Sequence, residues 1–126
     1  MSLGRWDVEE RASELRLHRG ACNLTIDTQG RDQLHRGEVV IGVRPEDAHL
    51  WQEARGMLGP LRGEAVMVEV FGREVFITVK CDAGRYVIES ARAVTRPRIG
   101  EKVEFGFDPG RLCVFDSQSS DAIGRL

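Results

Sequence analysis

The chain has 126 residues, which is enough for one domain or for one small barrel with an added sheet. Its 20 acidic and 18 basic residues give a net charge of −2, with both signs interspersed. This balance argues against nucleic-acid binding, because such proteins usually concentrate basic residues on one face or element. Apolar runs stay far below the roughly 18 residues of a membrane span, so we expect a soluble chain.

The N-terminal segment carries little apolar pattern. Residues 1–3 resemble a cloning remnant, and residues 4–12 are polar apart from Trp6 and Val8. We therefore expect residues 1–12 to be a tag remnant and an N-terminal arm, either loose or a short helix. Residues 13–126 are predicted to form the domain itself.

Two short segments, residues 14–18 and 22–27, alternate between apolar and polar residues and predict a hairpin with one buried side. The residues on that side are Leu15, Leu17, Cys22, Leu24 and Ile26. Residues 38–43 form a nearly continuous apolar run, which is typical of a strand covered on both faces.

Pro45 is expected to end this strand, because proline has no amide proton and pushes Arg44 toward extended geometry. The sequence Pro-Glu-Asp is also a good helix opening, with acidic residues near the positive end of the helix dipole. We predict a short helix or turn over residues 46–55, followed by a glycine-rich loop.

The clearest hairpin pattern covers residues 64–81. In its first strand, one predicted face holds Glu64, Val66, Val68 and Val70, and the other holds Ala65, Met67, Glu69 and Phe71. In its second strand, the apolar face holds Val75, Ile77, Val79 and Cys81. Further strands are predicted near residues 86–89, 102–107 and 112–115. About eight short strands without a long helix indicate a small all-β barrel or sandwich.

The sequence carries no pattern of a catalytic or metal site. A phosphate-binding loop and a Gly-x-Ser-x-Gly nucleophile elbow are both missing from it. His18, His35 and His49 lie in separate segments, without the short spacings of zinc sites. Cys22, Cys81 and Cys113 form no Cys-x-x-Cys pair, and we expect inert thiols in a reducing compartment.

Three segments together resemble the C-terminal accessory domain, or TOBE domain, of ATP-binding cassette (ABC) importer ATPases of the maltose and glycerol-3-phosphate type. They are Gly42-Val-Arg-Pro-Glu-Asp47, residues 63–74, and Phe107-Asp-Pro-Gly-Arg-Leu-Cys-Val-Phe-Asp116. The resemblance implies an OB-like small β-barrel (TOBE/MOP-like) with an additional short N-terminal hairpin.

The resemblance also implies a regulatory and dimerisation domain for uptake of a sugar or related solute. Its partners would be its own ATPase domain, a second ATPase subunit, membrane-spanning permease subunits indirectly, and a regulatory protein in some members. The chain would be a homodimer without nucleic acid, cytoplasmic and peripheral at the inner face of the cell membrane. We expect neither enzymatic activity nor a cofactor in this fragment, with ATP and Mg²⁺ belonging to the parent protein.

Candidate interface residues lie where the strand before Pro45 leaves the sheet. Arg44, Pro45, Glu46 and Trp51 are our candidates; Arg44 and Glu46 form either a local ion pair or a contact with a partner subunit. Trp51, with Met57 and Leu58, is expected on a bare apolar edge, and Trp6 either covers the barrel end or joins a binding patch.

Two other functions remain open. Ser90-Ala-Arg92 resembles the Ser-Ala-Arg triplet of molybdate-binding TOBE proteins, although there the triplet lies near the start of the domain. A free-standing barrel that binds a small ligand, such as an oxyanion, is therefore one alternative. An RNA-binding OB-fold is the other, and it would need exposed aromatic residues among basic ones.

Overall fold

The computed structural model describes most of the chain, and this part is nearly all β. The described residues are 1–11, 14–27, 37–52, 56–91, 96–118 and 122–125. Within them the chain forms β1 (Ser2–Arg11), β2 (Glu14–Arg19), β3 (Cys22–Asp27), β4 (Gly37–Val43), β5 (Ala48–Leu50), β6 (Leu58–Phe71), β7 (Glu74–Cys81), β8 (Gly84–Ala91), β9 (Lys102–Phe107), β10 (Cys113–Asp116) and β11 (Ala122–Arg125). The all-β prediction is confirmed, with more strands than the eight or so expected.

All of these strands pair antiparallel in one curled sheet. Across the described residues the order is β11-β10-β4-β1-β8-β7-β6-β9-β5, and β2 and β3 branch from β1 as a hairpin. One half of the sheet thus combines the first four strands with the last two, and the other half holds β5 to β9. The sheet bends into a half-barrel around a continuous apolar core, as an OB-like fold requires.

The two halves of the sheet meet where β1 passes β8. Gly4 pairs with Gly84 there, and the Arg5 amide donates a 2.8 Å hydrogen bond to the Ala83 carbonyl oxygen. A Cβ atom on Gly4 would collide with the Tyr86 hydroxyl, and Gly84 has a φ of +148°. Glycine is needed at both positions. At Gly4 there is no room for a side chain, and at Gly84 the backbone has a positive φ that other residues rarely adopt.

The expectation that residues 4–12 form a loose arm or a short helix is wrong. β1 spans Ser2–Arg11 and pairs along most of its length with β4. Trp6 is fully buried and Val8 nearly so, while Arg5 before them and Glu9 after them face solvent. The period-two pattern was present, but only two large apolar side chains carried it. Where the domain begins, and whether residues 1–3 are a remnant, remain predictions.

The N-terminal hairpin and the strand after it are confirmed. β2 and β3 pair over their whole lengths, and each of the five residues assigned to the inner side is less than a tenth exposed. β4 lies between β1 and β10 and ends at Val43, so that only Arg44 separates it from Pro45. Val39, Ile41 and Val43 are buried and Val40 is half-buried, so both faces of the strand are largely covered, which accounts for its nearly continuous apolar sequence.

The segment that starts at Pro45 contains less helix than expected. A single 3-10 turn covers Pro45–Asp47, and the chain then enters β5, which pairs with β9. The prediction of a helix or turn over residues 46–55 is therefore right for the first two of them and wrong for β5. Residues 53–55 lie outside the described residues. A three-residue strand is too short to leave a periodic signal in a sequence.

A β-bulge in β6 changes which side its later residues face. Ala65 pairs with Val79 and Met67 pairs with Thr78, so Val66 is an extra residue without a partner on β7. Ala65 is buried on one side of the bulge, and Val68 packs against the core on the other. The predicted faces are therefore right within residues 67–71 but wrong across the bulge, because Ala65 shares the inner side with Val68 and strict alternation assumes an unbroken strand.

Candidate functional site

The four candidate interface residues do not form one cluster. Arg44 is exposed and lies in a small crevice with Asp47, Arg111 and Cys113. Glu46 is exposed and lines a different cleft, described next. The described residues include no ion pair between Arg44 and Glu46, so the local pair expected from the sequence is not formed. A role of either residue in an interface stays a prediction.

Trp51 is half-buried and covers two glycines. A Cβ atom on Gly106 would lie 3.0 Å from the Trp51 ring, and one on Gly59 would lie 3.2 Å from it. The Trp51 amide donates a 3.0 Å hydrogen bond to the Glu104 carbonyl oxygen. Met57 is buried and Leu58 packs against the core. The bare apolar edge expected at these residues is therefore wrong, although an interface role of Trp51 remains a prediction.

An open cleft lies between the 3-10 turn with β5 and the adjoining ends of β7 and β8. Its volume is about 370 Å³, and its lining residues are Glu46, His49, Arg73, Glu74, Glu89, Ser90 and Ala91. We call it the acidic cleft, because three carboxylates face one arginine and one histidine. Of these residues, the sequence singled out Glu46 as an interface candidate and Ser90 and Ala91 as part of the Ser-Ala-Arg triplet.

Glu89 reports the electrostatic character of the acidic cleft. Desolvation raises the pKa of its carboxyl, and the neighbouring Glu74 and Glu46 raise it further. His49 acts in the opposite direction but does not outweigh them. The cleft therefore disfavours added negative charge, and it suits a cationic group such as a lysine or arginine side chain.

His49 fixes one wall of the acidic cleft. Its Nε2 lies 2.8 Å from Oδ2 of Asp108, and the two side chains are 16% and 27% exposed. The Asp108 amide also donates a 2.9 Å hydrogen bond to the Asp47 carbonyl oxygen. These contacts tie the turn and β5 to the end of β9, which positions Glu46 opposite β8. Sequence spacing could not indicate this pair, since 59 residues separate its members.

An exposed apolar surface adjoins the acidic cleft. We call it the outer apolar face, and its residues are Met67, Phe71 and Phe76. Met67 and Phe71 are 48% and 59% exposed, and the rings of Phe71 and Phe76 meet edge to face at 5.8 Å. Cross-strand pairing sets Phe71 opposite Glu74 and Phe76 opposite Glu89. Apolar and acidic groups therefore alternate across one continuous surface.

The first two residues of the Ser-Ala-Arg triplet lie in the acidic cleft. Ser90 and Ala91 both line it, whereas Arg92 lies outside the described residues. The three carboxylates beside Ser90 make its surroundings unfavourable for an anion.

A second cavity, of about 530 Å³, lies at the junction of the two halves of the sheet. Its lining is mainly apolar, and the polar side chains in it are Arg5, Asp116 and Ser117. Arg5 bonds through Nη1 to Oε1 of Glu38 at 2.8 Å, so its charge is already matched. This cavity therefore offers apolar contact with few converging polar groups.

Over the ranges that the structure describes, no group of three or more histidine, cysteine or acidic residues is arranged to hold a metal ion. In the same part of the chain, no helix has the length and apolar character needed to cross a membrane.

Comparison with known proteins agrees with the fold. The chain is similar to a crystal structure of the cytoplasmic molybdate-binding protein ModG with molybdate bound, with a TM-score of 0.64 and 15% sequence identity. The alignment covers 89% of this chain and 93% of that one, and it supports the TOBE/MOP-like, OB-type architecture.

No curated protein matches the sequence. A family profile described as the TOBE domain matches residues 41–115, which is more than half of the chain. The chain therefore belongs to the TOBE domain family.

Proposed function

We propose that this chain is a binding and regulatory domain that docks onto an ABC importer ATPase, through the outer apolar face and the acidic cleft beside it. Membership of the TOBE family supports a domain of the binding class. The motifs around Pro45 and Pro109, through which the chain resembles sugar-importer ATPases, support the more specific assignment. The domain would work at the cytoplasmic face of the membrane, within the transporter complex.

The observation that carries the proposal is the surface formed by Met67, Phe71 and Phe76 with Glu74 and Glu89. Large side chains that are half exposed and adjacent to one another often mark interaction sites, whereas isolated ones are ordinary. The carboxylates at its border favour a partner surface that carries lysine or arginine beside aliphatic residues. A basic nucleic-acid-binding surface is the opposite of this arrangement, so we propose no nucleic-acid partner.

The partner is proposed to be the ATPase domain of the same transporter, either its own or that of the second subunit. A contact that is stronger in one nucleotide state than in the other would bias the opening of the ATPase dimer. Such control needs a coupling free energy of only about 1–3 kcal/mol. The bias would reach the permease subunits indirectly, through the ATPase dimer. A regulatory protein could bind to the same surface.

Site-specific photo-crosslinking tests the proposal. A photoreactive phenylalanine analogue at position 71, in the protein expressed from its own coding sequence, should form an adduct with a polypeptide that contains a phosphate loop and an ABC signature. The same analogue at Thr25, which is exposed on β3, serves as the control and should give no such adduct. Absence of the adduct at position 71, or an adduct with an unrelated protein, would contradict the proposal.

Oxyanion binding is the second candidate, and the likeness to ModG is the observation that favours it. The surroundings of Ser90 weigh against it in a single chain, because Glu46, Glu74 and Glu89 line the same cleft. Titration calorimetry with molybdate distinguishes the two. We expect no saturable heat with the isolated chain, and stoichiometric binding would replace the docking proposal with a ligand-binding one.

A further inference from the structure

The fold brings together two cysteines that are far apart in the sequence. Cys22 begins β3 at the tip of the β2–β3 hairpin, and Cys81 ends β7 at the turn into β8. The hairpin tip and the turn are in direct contact, since the Ala21 amide donates a 2.7 Å hydrogen bond to Oδ2 of Asp82. Cys22 directly follows Ala21 and Cys81 directly precedes Asp82, so this contact places the two thiols within hydrogen-bonding reach of each other.

The turn after β7 surrounds the sulfur of Cys22 with hydrogen-bond donors. The backbone amides of Asp82 and Ala83 donate to it. The hydrogen bond from Cys81 is the largest of the effects that lower the pKa of Cys22, to about 6. The pKa of Cys81 is raised in return, chiefly by its hydrogen bonding with Cys22 and then by burial. Of the two thiols, Cys22 is therefore the one that ionises first.

The pair lies just below the protein surface, with Cys81 on the more exposed side. Cys22 is 1% exposed, but its neighbours Ala21 and Asp82 are exposed and Cys81 is half-buried. The sulfur of Cys81 lies 3.3 Å from the Gly84 carbonyl oxygen, so the turn holds that side chain in place. A thiolate next to a second thiol just below the surface is the arrangement in which a small oxidant gives an intramolecular disulfide.

We propose that Cys22 and Cys81 form a peroxide-sensitive dithiol, whose oxidation reversibly joins the hairpin tip to the turn between β7 and β8. The Cys22 thiolate attacks one oxygen of hydrogen peroxide, the O–O bond breaks, and the departing hydroxide is protonated to water. The sulfur of Cys81 then attacks the resulting sulfenic acid. Its proton leaves with the hydroxyl group as a second water. The protein loses two electrons, and one peroxide is reduced to two waters.

Cys113 provides an internal control. It lies on β10, and β4, β1 and β8 separate that strand from β7 in the sheet. A disulfide that depends on the contact between Cys22 and Cys81 should leave Cys113 reduced.

The test is stoichiometric oxidation of the folded chain at neutral pH by one equivalent of hydrogen peroxide. Titratable thiols should fall from three to one, and tandem mass spectrometry should find a peptide joined through Cys22 and Cys81. Dithiothreitol should restore all three thiols. Cys113→Ser should oxidise like the parent chain, losing both of its thiols. In Cys81→Ser the reaction should stop at a sulfenic acid on Cys22, which dimedone captures.

The inference fails if the folded chain keeps three thiols, or if the disulfide involves Cys113. It also fails if the chain unfolded in urea forms the link between Cys22 and Cys81 as fast as the folded chain, because the contact would then contribute nothing. Circular dichroism of each variant shows whether the protein remains folded, so that a lost reaction is not confused with lost structure.

Discussion

The indole nitrogen of Trp6 donates a 2.9 Å hydrogen bond to the hydroxyl oxygen of Tyr86, and both side chains are fully buried. The Tyr86 hydroxyl in turn donates a 3.1 Å bond to the Ile41 carbonyl oxygen. One polar chain thus joins β1, β8 and β4 within the apolar core, across the junction of the two halves of the sheet. Burial is the main reason that the pKa of Tyr86 is raised, so the hydroxyl stays protonated and remains a donor.

Replacing Tyr86 with phenylalanine should destabilise the chain by about 1–3 kcal/mol, because the indole N–H of Trp6 is left buried without its acceptor. Urea unfolding followed by Trp fluorescence measures the loss. Thr25→Ala, on an exposed position of β3, is the control and should change stability by less than about 0.5 kcal/mol. A Tyr86→Phe chain as stable as the parent would mean that the hydrogen bond contributes nothing to stability.

Removal of residues 1–11 should abolish cooperative unfolding. β1 lies between β4 and β8 in the sheet order, so its loss would expose the edges of both strands and remove Trp6 from the core. A chain that begins at residue 12 is expected to lack a sigmoidal thermal transition by circular dichroism. If the transition instead stayed unchanged, the first eleven residues would be a dispensable arm after all.

The substitution Glu89→Gln should stabilise the chain at pH 7, by less than about 1 kcal/mol since the cleft is open to solvent. The pKa of the Glu89 carboxyl is higher in the folded chain than in the unfolded chain. Between these two pKa values the folded chain therefore binds more protons than the unfolded chain. Stability then falls as the pH rises through that window. The gain from glutamine should disappear below about pH 4, where the unfolded carboxyl is protonated as well.

Thermal unfolding at pH 7 and at pH 3.5 gives the comparison. Glu69→Gln is the matched control, because Glu69 shares the outer side of the sheet with Phe76 but does not line the acidic cleft. If both substitutions stabilise the chain equally at pH 7, the gain comes from the change in net charge. The repulsion among Glu46, Glu74 and Glu89 would then not be its cause.

The substitution Arg44→Ala should change the stability of the isolated chain by less than about 1 kcal/mol, since the side chain is exposed. If Arg44 contacts a partner domain, the ratio of transport to ATP hydrolysis should fall in the complete transporter. That ratio is measured in proteoliposomes with the substituted full-length ATPase. An unaltered ratio would mean that Arg44 contacts no partner domain and is only a residue of the strand end.

Alternation predicted the parts of the fold in which apolar side chains occupy every second position, such as Leu15 and Leu17 in β2. It failed at β1, where Gly4 takes one of the inward positions and contributes no side chain. The acidic cleft could not be predicted at all, because the pairing of β7 with β8 sets Glu74 beside Ala91 and Phe76 beside Glu89. The cleft also needs Glu46 and His49, which the fold brings to the ends of β7 and β8 from far away in the sequence, and no local pattern encodes such a long-range contact.

Deleting one residue from the middle of a strand normally turns every later side chain to the opposite side of the sheet. Val66 is an exception, because the bulge already places it outside the ladder with β7. A chain without Val66 would bring Ala65 and Met67 into regular succession, with Met67 still outside and Val68 still against the core. The register of β6 is thus tolerant of a deletion at one position, and its surface pattern would survive a change in length.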